Sequence, residues 1–130
     1  MKQEDKDILV RLQVEKARRF LAQADEMTEL KHWDLAANRY YYASFHAVQA
    51  LFIHKGINAH THAGINNQFS LNFVKTGIVD LSYGSFLARM FQLRQKADYN
   101  CAYDITEDDV SEIVGLSHSF VNEVLGLISL

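Results

Sequence analysis

The stretch that decides the fold runs from Asp34 to Lys55, DLAANRYYYASFHAVQALFIHK, without a glycine or a proline. Ala36, Ala43, Ala47 and Ala50 recur at steps of seven, four and three, so they share one helical face. A row of small residues lets a second helix approach closely. Tyr42, Phe45, Gln49 and Phe52 form a neighbouring ridge that fills the space beside it. Trp33 and Asp34 stand at the start, where Asp suits both a cap and the positive end of the helix dipole. Gly56 follows where a C-terminal cap belongs. A helix apolar on nearly every side is the centre of a bundle.

Working outward, residues from about Asp5 to Met27 read as a first helix, with Leu9, Leu12, Phe20, Leu21 and Ala24 on one stripe. The polar link Thr28–His32 is short, so the first two helices should pack antiparallel. Gly56–Gly64 reads as a loop carrying His60 and His62, and Ile65–Val74 as a short helix. Asp80–Gly84 reads as a turn, and Ser85–Tyr99 as a helix with Phe86, Met90, Leu93 and Ala97 on its buried stripe. Thr106, with Asp109 three residues on, is a capping box for a last helix that runs through Val110 to Leu127. With no proline and no period-two run, the expectation is all-α. It is an up-and-down bundle of four long helices plus a short fifth, in one domain over residues 1–130.

The composition, 48% apolar and 22% charged over 130 residues, is that of a globular chain. A net charge of −3 argues against a surface coated with cations, though not against a local basic patch. One cysteine, Cys101, excludes an internal disulfide and suits a reducing compartment. The start, MKQEDKD, does not read as a signal peptide, and no apolar run reaches the roughly 20 residues that span a bilayer. The expected location is cytoplasmic, with no membrane partner.

Three groups could carry chemistry. Arg39 and His46 lie two helical turns apart on nearly one face. Arg39 could hold a phosphate and His46 move a proton, or the two could be a paired arginine and a hydrogen-bonded interior histidine. Arg94, Asp98 and Tyr99 gather a guanidinium, a carboxylate and a phenol at a helix end, suited to a phosphodiester or a nucleotide, or to a plain helix-end ion pair. His46, His54, His60 and His62 lack a ligand spacing and no cysteine pair supports zinc, so no metal and no cofactor are expected. The tyrosines Tyr40–Tyr42 could stack bases, but they point three ways around a helix and read mostly as core or interface. No glycine-rich phosphate loop is present.

Five pieces in order carry a family resemblance: Asn38–Ala47 with Ala50-Leu51, His62-Ala63-Gly64, Phe73–Gly77 and Arg94–Tyr99. Over about residues 8–128 they resemble the HEPN domain, in its small stand-alone prokaryotic branch. The resemblance implies a helical bundle that forms a homodimer. It also implies a neighbouring minimal nucleotidyltransferase as antitoxin and, in many relatives, a metal-independent RNase. RNase members carry Arg, four to six residues, then His, near the end of the later long helix. Arg94 matches, but Tyr99 stands where His is expected, and a phenol with a pKa near 10 is a poor base at neutral pH. The catalytic candidates are then Arg94, Asp98 and Tyr99, and the nucleotide- or RNA-binding candidates Arg94, Tyr99, Arg39, His46 and His62. A nucleotide- or RNA-phosphate-binding partner of a nucleotidyltransferase fits best; an active endoribonuclease toxin and a non-catalytic dimeric scaffold are the alternatives.

Overall fold

The computed structural model describes residues 2–128, and every regular element among them is helical. The elements are α1 (Gln3–Glu29), α2 (Trp33–Lys55), α3 (His62–Phe69), α4 (Leu81–Tyr99) and α5 (Glu107–Gly126), with α3 running on into a π-helical turn, Ser70–Val74. The all-α bundle is as expected. Among the described residues no helix is long and apolar enough to cross a membrane.

α2 is the centre, packed most extensively on α1, then on α5 and α4. Its four face-sharing alanines are fully buried. α1 answers with Val10, Ala17, Leu21 and Ala24, which repeat the same steps of seven, four and three and are also buried. Gln13 meets His46 and Thr28 meets Tyr40, so the two helices run antiparallel. Small residues on both faces bring the axes together, and dispersion contacts accumulate along the seam. This corrects the expected α1 stripe. Leu9 and Leu12 are exposed, because Val10 and Ala17 set the buried face and turn those leucines away from it.

The ends of α2 divide the expectation. Gly56 caps the C-terminus at φ +73°, in the left-handed region that glycine enters at least cost. At the start, the cap position belongs to His32 and has no side-chain bond, while Asp34 lies inside the first turn. Asp34 therefore favours the helix dipole without capping.

Two helices begin earlier than their composition suggested. Thr61 caps α3, its hydroxyl accepting from the Gly64 amide at 2.9 Å, so His62 is the first helical residue and not part of a loop. Asp80 caps α4 by accepting from the Ser82 amide at 3.0 Å, which makes Leu81–Gly84 helical. Gly84 there reflects a close approach: a Cβ would lie 3.0 Å from Val74 Cγ2. The capping box of Thr106 and Asp109 on α5 is present, and Asp109 also accepts from the Tyr103 hydroxyl at 2.6 Å. Phe69, Phe86 and Phe120 close the core beyond α2, with ring centroids 5.3–5.6 Å apart along the chain of contacts.

Candidate functional site

Tyr40 and Tyr41 are consecutive on α2 and both buried, yet their hydroxyls bond to different elements, Tyr40 to Asp25 of α1 and Tyr41 to His62 of α3. Each reaches a histidine cluster. The two clusters differ in the sign of their fixed charge.

Tyr41 reaches the corner where α2, α3 and α4 meet. Its hydroxyl pairs with His62 Nδ1, and His62 Nε2 lies 3.1 Å from Arg94 Nη1. A guanidinium has only donors, so His62 Nε2 must be a bare lone pair. His62 is therefore neutral here, protonated on Nδ1, which donates to the Tyr41 oxygen. Burial and the adjacent Arg94 both lower the His62 pKa below its ordinary value, in keeping with that state. Burial raises the Tyr41 pKa against the opposing pull of Arg94, so the phenol stays protonated at neutral pH. Phe91 stacks on the His62 ring at 4.8 Å and fixes its plane.

Arg94 is held from several sides. Its guanidinium lies 5.0 Å over the rings of both Tyr41 and Tyr42. Its Nε is 3.3 Å from Asp98 Oδ2, one turn along α4, as the spacing predicted. That approach is close enough for an ion pair but is not aimed as a hydrogen bond, so the almost sealed Nε–H has no directed acceptor. Although burial works against it, Tyr41, Tyr42 and Asp98 raise the Arg94 pKa, and the charge is permanent. Beside it opens a cleft of about 340 Å³ between α2 and α4, lined by Asp34, Asn38, Tyr41, Arg94 and Asp98 over an apolar floor that includes Met90. Leu93 and Ala97, expected in the buried stripe of α4, line this cleft instead and are only half-buried.

The structure thus brings together Arg94, Asp98 and His62 among the sequence-predicted residues. Tyr99 does not join them: it is 83% exposed at the end of α4. Arg39 and His46 gather elsewhere, around Phe20 of α1, with the Arg39 guanidinium 4.9 Å over that ring and the His46 ring 5.3 Å from it. His46 is hydrogen-bonded to Gln13 at 2.7 Å, and burial, Lys16 and Arg19 lower its pKa. Among the described residues no three acidic, histidine or cysteine side chains come together as metal ligands. Tyr41 and Tyr42, read from sequence as core or interface, are the site residues that reading missed. No spacing rule joins residue 41 to residue 94.

The second cluster also escaped the sequence reading. Asp25 Oδ1 accepts from the Tyr40 hydroxyl at 2.6 Å, and His118 Nε2 lies 2.9 and 3.0 Å from the two Asp25 oxygens. Thr28 Oγ1 is 3.3 Å from the same tyrosine oxygen. The group ties α1 to α2 and α5.

Comparison with known proteins is consistent in kind. A family model for the HEPN domain matches residues 10–127. A Methanocaldococcus jannaschii protein named "Putative toxin" is 34% identical over 122 residues, covering 92% of this chain and 90% of that one. A Thermotoga maritima protein named "UPF0332 protein" is 32% identical over 124 residues, covering 95% and 94%. A second M. jannaschii protein, also named "Putative toxin", is 29% identical over 110 residues, covering 85% and 75%.

Proposed function

The chain belongs to the HEPN domain family, and we propose that within it the protein binds nucleotide or RNA phosphate at Arg94, as one half of a toxin–antitoxin-like pair. The observation that carries this is the state of Arg94: a permanent cation at a cleft, fixed by two aromatic faces, with one donor on a neutral histidine and another without a directed acceptor. The guanidinium lines the cleft, where an incoming phosphate can meet its remaining N–H groups in planar geometry, while the sealed Nε–H stays against Asp98. Asp98 orients Arg94. The proposed partners are a second copy of the chain and a minimal nucleotidyltransferase. Exposed Ile8, Leu9 and Leu12 on α1 supply apolar surface of the kind a homodimer covers. Tyr99, exposed in solvent at the end of α4, does not reach the cleft within one chain and carries no share of the binding in this reading.

A second reading, endoribonuclease activity without a metal, gains from one contact. The imidazole missing at position 99 is supplied by His62 from α3. When Arg94 turns to a phosphate, the lone pair on His62 Nε2 is released and can accept the proton of a ribose 2′-hydroxyl. The 2′-oxygen then bonds to phosphorus, the bond from phosphorus to the 5′-oxygen breaks, and that oxygen takes a proton from water.

The test is Arg94→Ala, measured for nucleotide and RNA binding and for thermal unfolding. Binding should be abolished while stability falls by no more than about 1 kcal/mol, the usual worth of a partly exposed ion pair. Intact binding with a loss of several kcal/mol would make the residue structural and leave a non-catalytic scaffold as the better account. Incubating RNA with the parent and with His62→Gln separates binder from nuclease.

A further inference from the structure

We infer that the Arg94 corner is one end of a longer track for a single-stranded RNA chain, continuing along α2 and onto α1 through Tyr42, His46, Phe20, Arg39 and Arg19. The inference rests on the phosphate-binding reading of Arg94 and extends it from one phosphate to several nucleotides.

The track is continuous in ring contacts. Arg94 lies 5.0 Å over Tyr42, and the Tyr42 ring is 6.3 Å from that of His46. His46 is 5.3 Å from Phe20. At its far end two guanidiniums share one ring, Arg39 at 4.9 Å and Arg19 at 5.8 Å from the centre of Phe20. Tyr42, His46 and Phe20 are only partly buried, so their surfaces remain reachable.

Its charge is unbalanced. The chain has more acidic than basic residues, 16 against 13, yet no carboxylate pairs with Arg19, Arg39 or Lys16 among the described residues. Glu15, one turn before Arg19, makes no ion pair with it. The groups that do bond here are neutral. Asn38 Oδ1 accepts from Arg39 Nη1 at 2.9 Å, and Gln13 holds His46. Neutral partners fix these side chains without cancelling the field. Burial, with Lys16 and Arg19 nearby, keeps the His46 pKa low, so its ring is a stacking surface more than a charge. Reachable rings flanked by cations at both ends are a means by which a protein follows a single strand without reading its sequence: phosphates meet the cations and bases stack on the rings.

The test uses the full chain and fluorescence anisotropy, with a labelled oligouridine and uridine monophosphate as probes. The variants are Arg19→Gln with Arg39→Gln, and separately Phe20→Leu, which keeps an apolar residue against α2 but removes the stacking face. Each is checked by thermal unfolding and light scattering. The double variant should weaken oligouridine about tenfold near 0.1 M salt. The slope of log affinity against log salt should fall by about 1.4, two phosphates at roughly 0.7 each. The preference for oligomer over mononucleotide should shrink by a similar factor, and Phe20→Leu should shrink it without changing the salt slope. An unchanged slope and preference in the double variant, with Arg94→Ala still abolishing binding, overturns the track and leaves the Arg94 site standing. Loss of oligomer binding in the double variant with Arg94→Ala unaffected overturns the continuity and the Arg94 reading together. So does a parent that binds neither probe. A double variant whose only change is in oligomeric state assigns this surface to a second copy and overturns the track.

Discussion

Two adjacent tyrosines open onto two histidine clusters, and the clusters differ in whether they are closed. On one side, Asp25 is a carboxylate facing donors: the Tyr40 hydroxyl and His118 Nε2 both point at it, from two different helices. Burial and the bond to Asp25 raise the Tyr40 pKa, so the hydroxyl is a dependable donor. The result is a self-satisfied tie across three helices. On the other side, Arg94 faces groups that cannot satisfy it fully: a single lone pair on His62, two aromatic faces and an ill-aimed carboxylate. The same residue types around a charge of opposite sign leave donors to spare. A closed cluster holds helices together, and an open cationic one can receive an anion.

The largest expected effect that would sharpen this contrast is on the open side. Arg94→Lys keeps the charge but loses the planar fork, and should cost about 1.5–3 kcal/mol of phosphate affinity, roughly 10- to 150-fold by titration. Equal affinity would show that only charge matters there. On the closed side, Asp25→Ala should remove about 1–2 kcal/mol of stability in denaturant unfolding, discounted for its partial exposure, and leave RNA affinity unchanged. A loss of affinity instead would merge the two clusters into one function. Tyr41→Phe removes one hydrogen bond from His62 and should weaken binding by about 1 kcal/mol, roughly fivefold, with a smaller effect on stability. Tyr99→Ala should matter least, about 0.5 kcal/mol or less, because the side chain stands in solvent. A tenfold loss there would mean that a second copy does carry Tyr99 into the cleft.

What the sequence revealed follows from how local each signal is. α2 was legible because its alanine spacing, all-round apolarity and Gly56 agree within one segment, and the Thr106 capping box is likewise local. The starts of α3 and α4 were not, since Gly64 and Gly84 look like turn residues. One lies just behind a threonine cap and the other is glycine because Val74 presses on it. The face of α1 is hard to read locally because Leu9 and Leu12 outweigh Val10 and Ala17 in hydrophobicity, while close packing against α2 favours the smaller pair. At the site, Arg94 and Asp98 were found because they are one turn apart on a helix. His62 stands between Gly56 and Gly64 in a loop-like stretch of sequence, and its meeting with Arg94 across 32 positions is a product of tertiary packing.

The central claim, that the Arg94–His62 corner receives a phosphate, is tested most directly by the His62 ring itself, followed by NMR against pH with and without uridine monophosphate. In the free protein the midpoint should lie below 6.5, since burial and Arg94 disfavour the imidazolium. The unfolded chain, with an ordinary imidazole, binds the proton more readily than the folded one. The neutral-histidine contribution is therefore complete above about pH 6.5 and is lost as pH falls through the lower folded midpoint. With nucleotide bound, Arg94 turns to the phosphate, an anion replaces a cation beside the ring, and the His62 midpoint should rise while the His118 ring signals stay in place. A nucleotide that binds yet leaves the His62 titration unmoved would contradict the account.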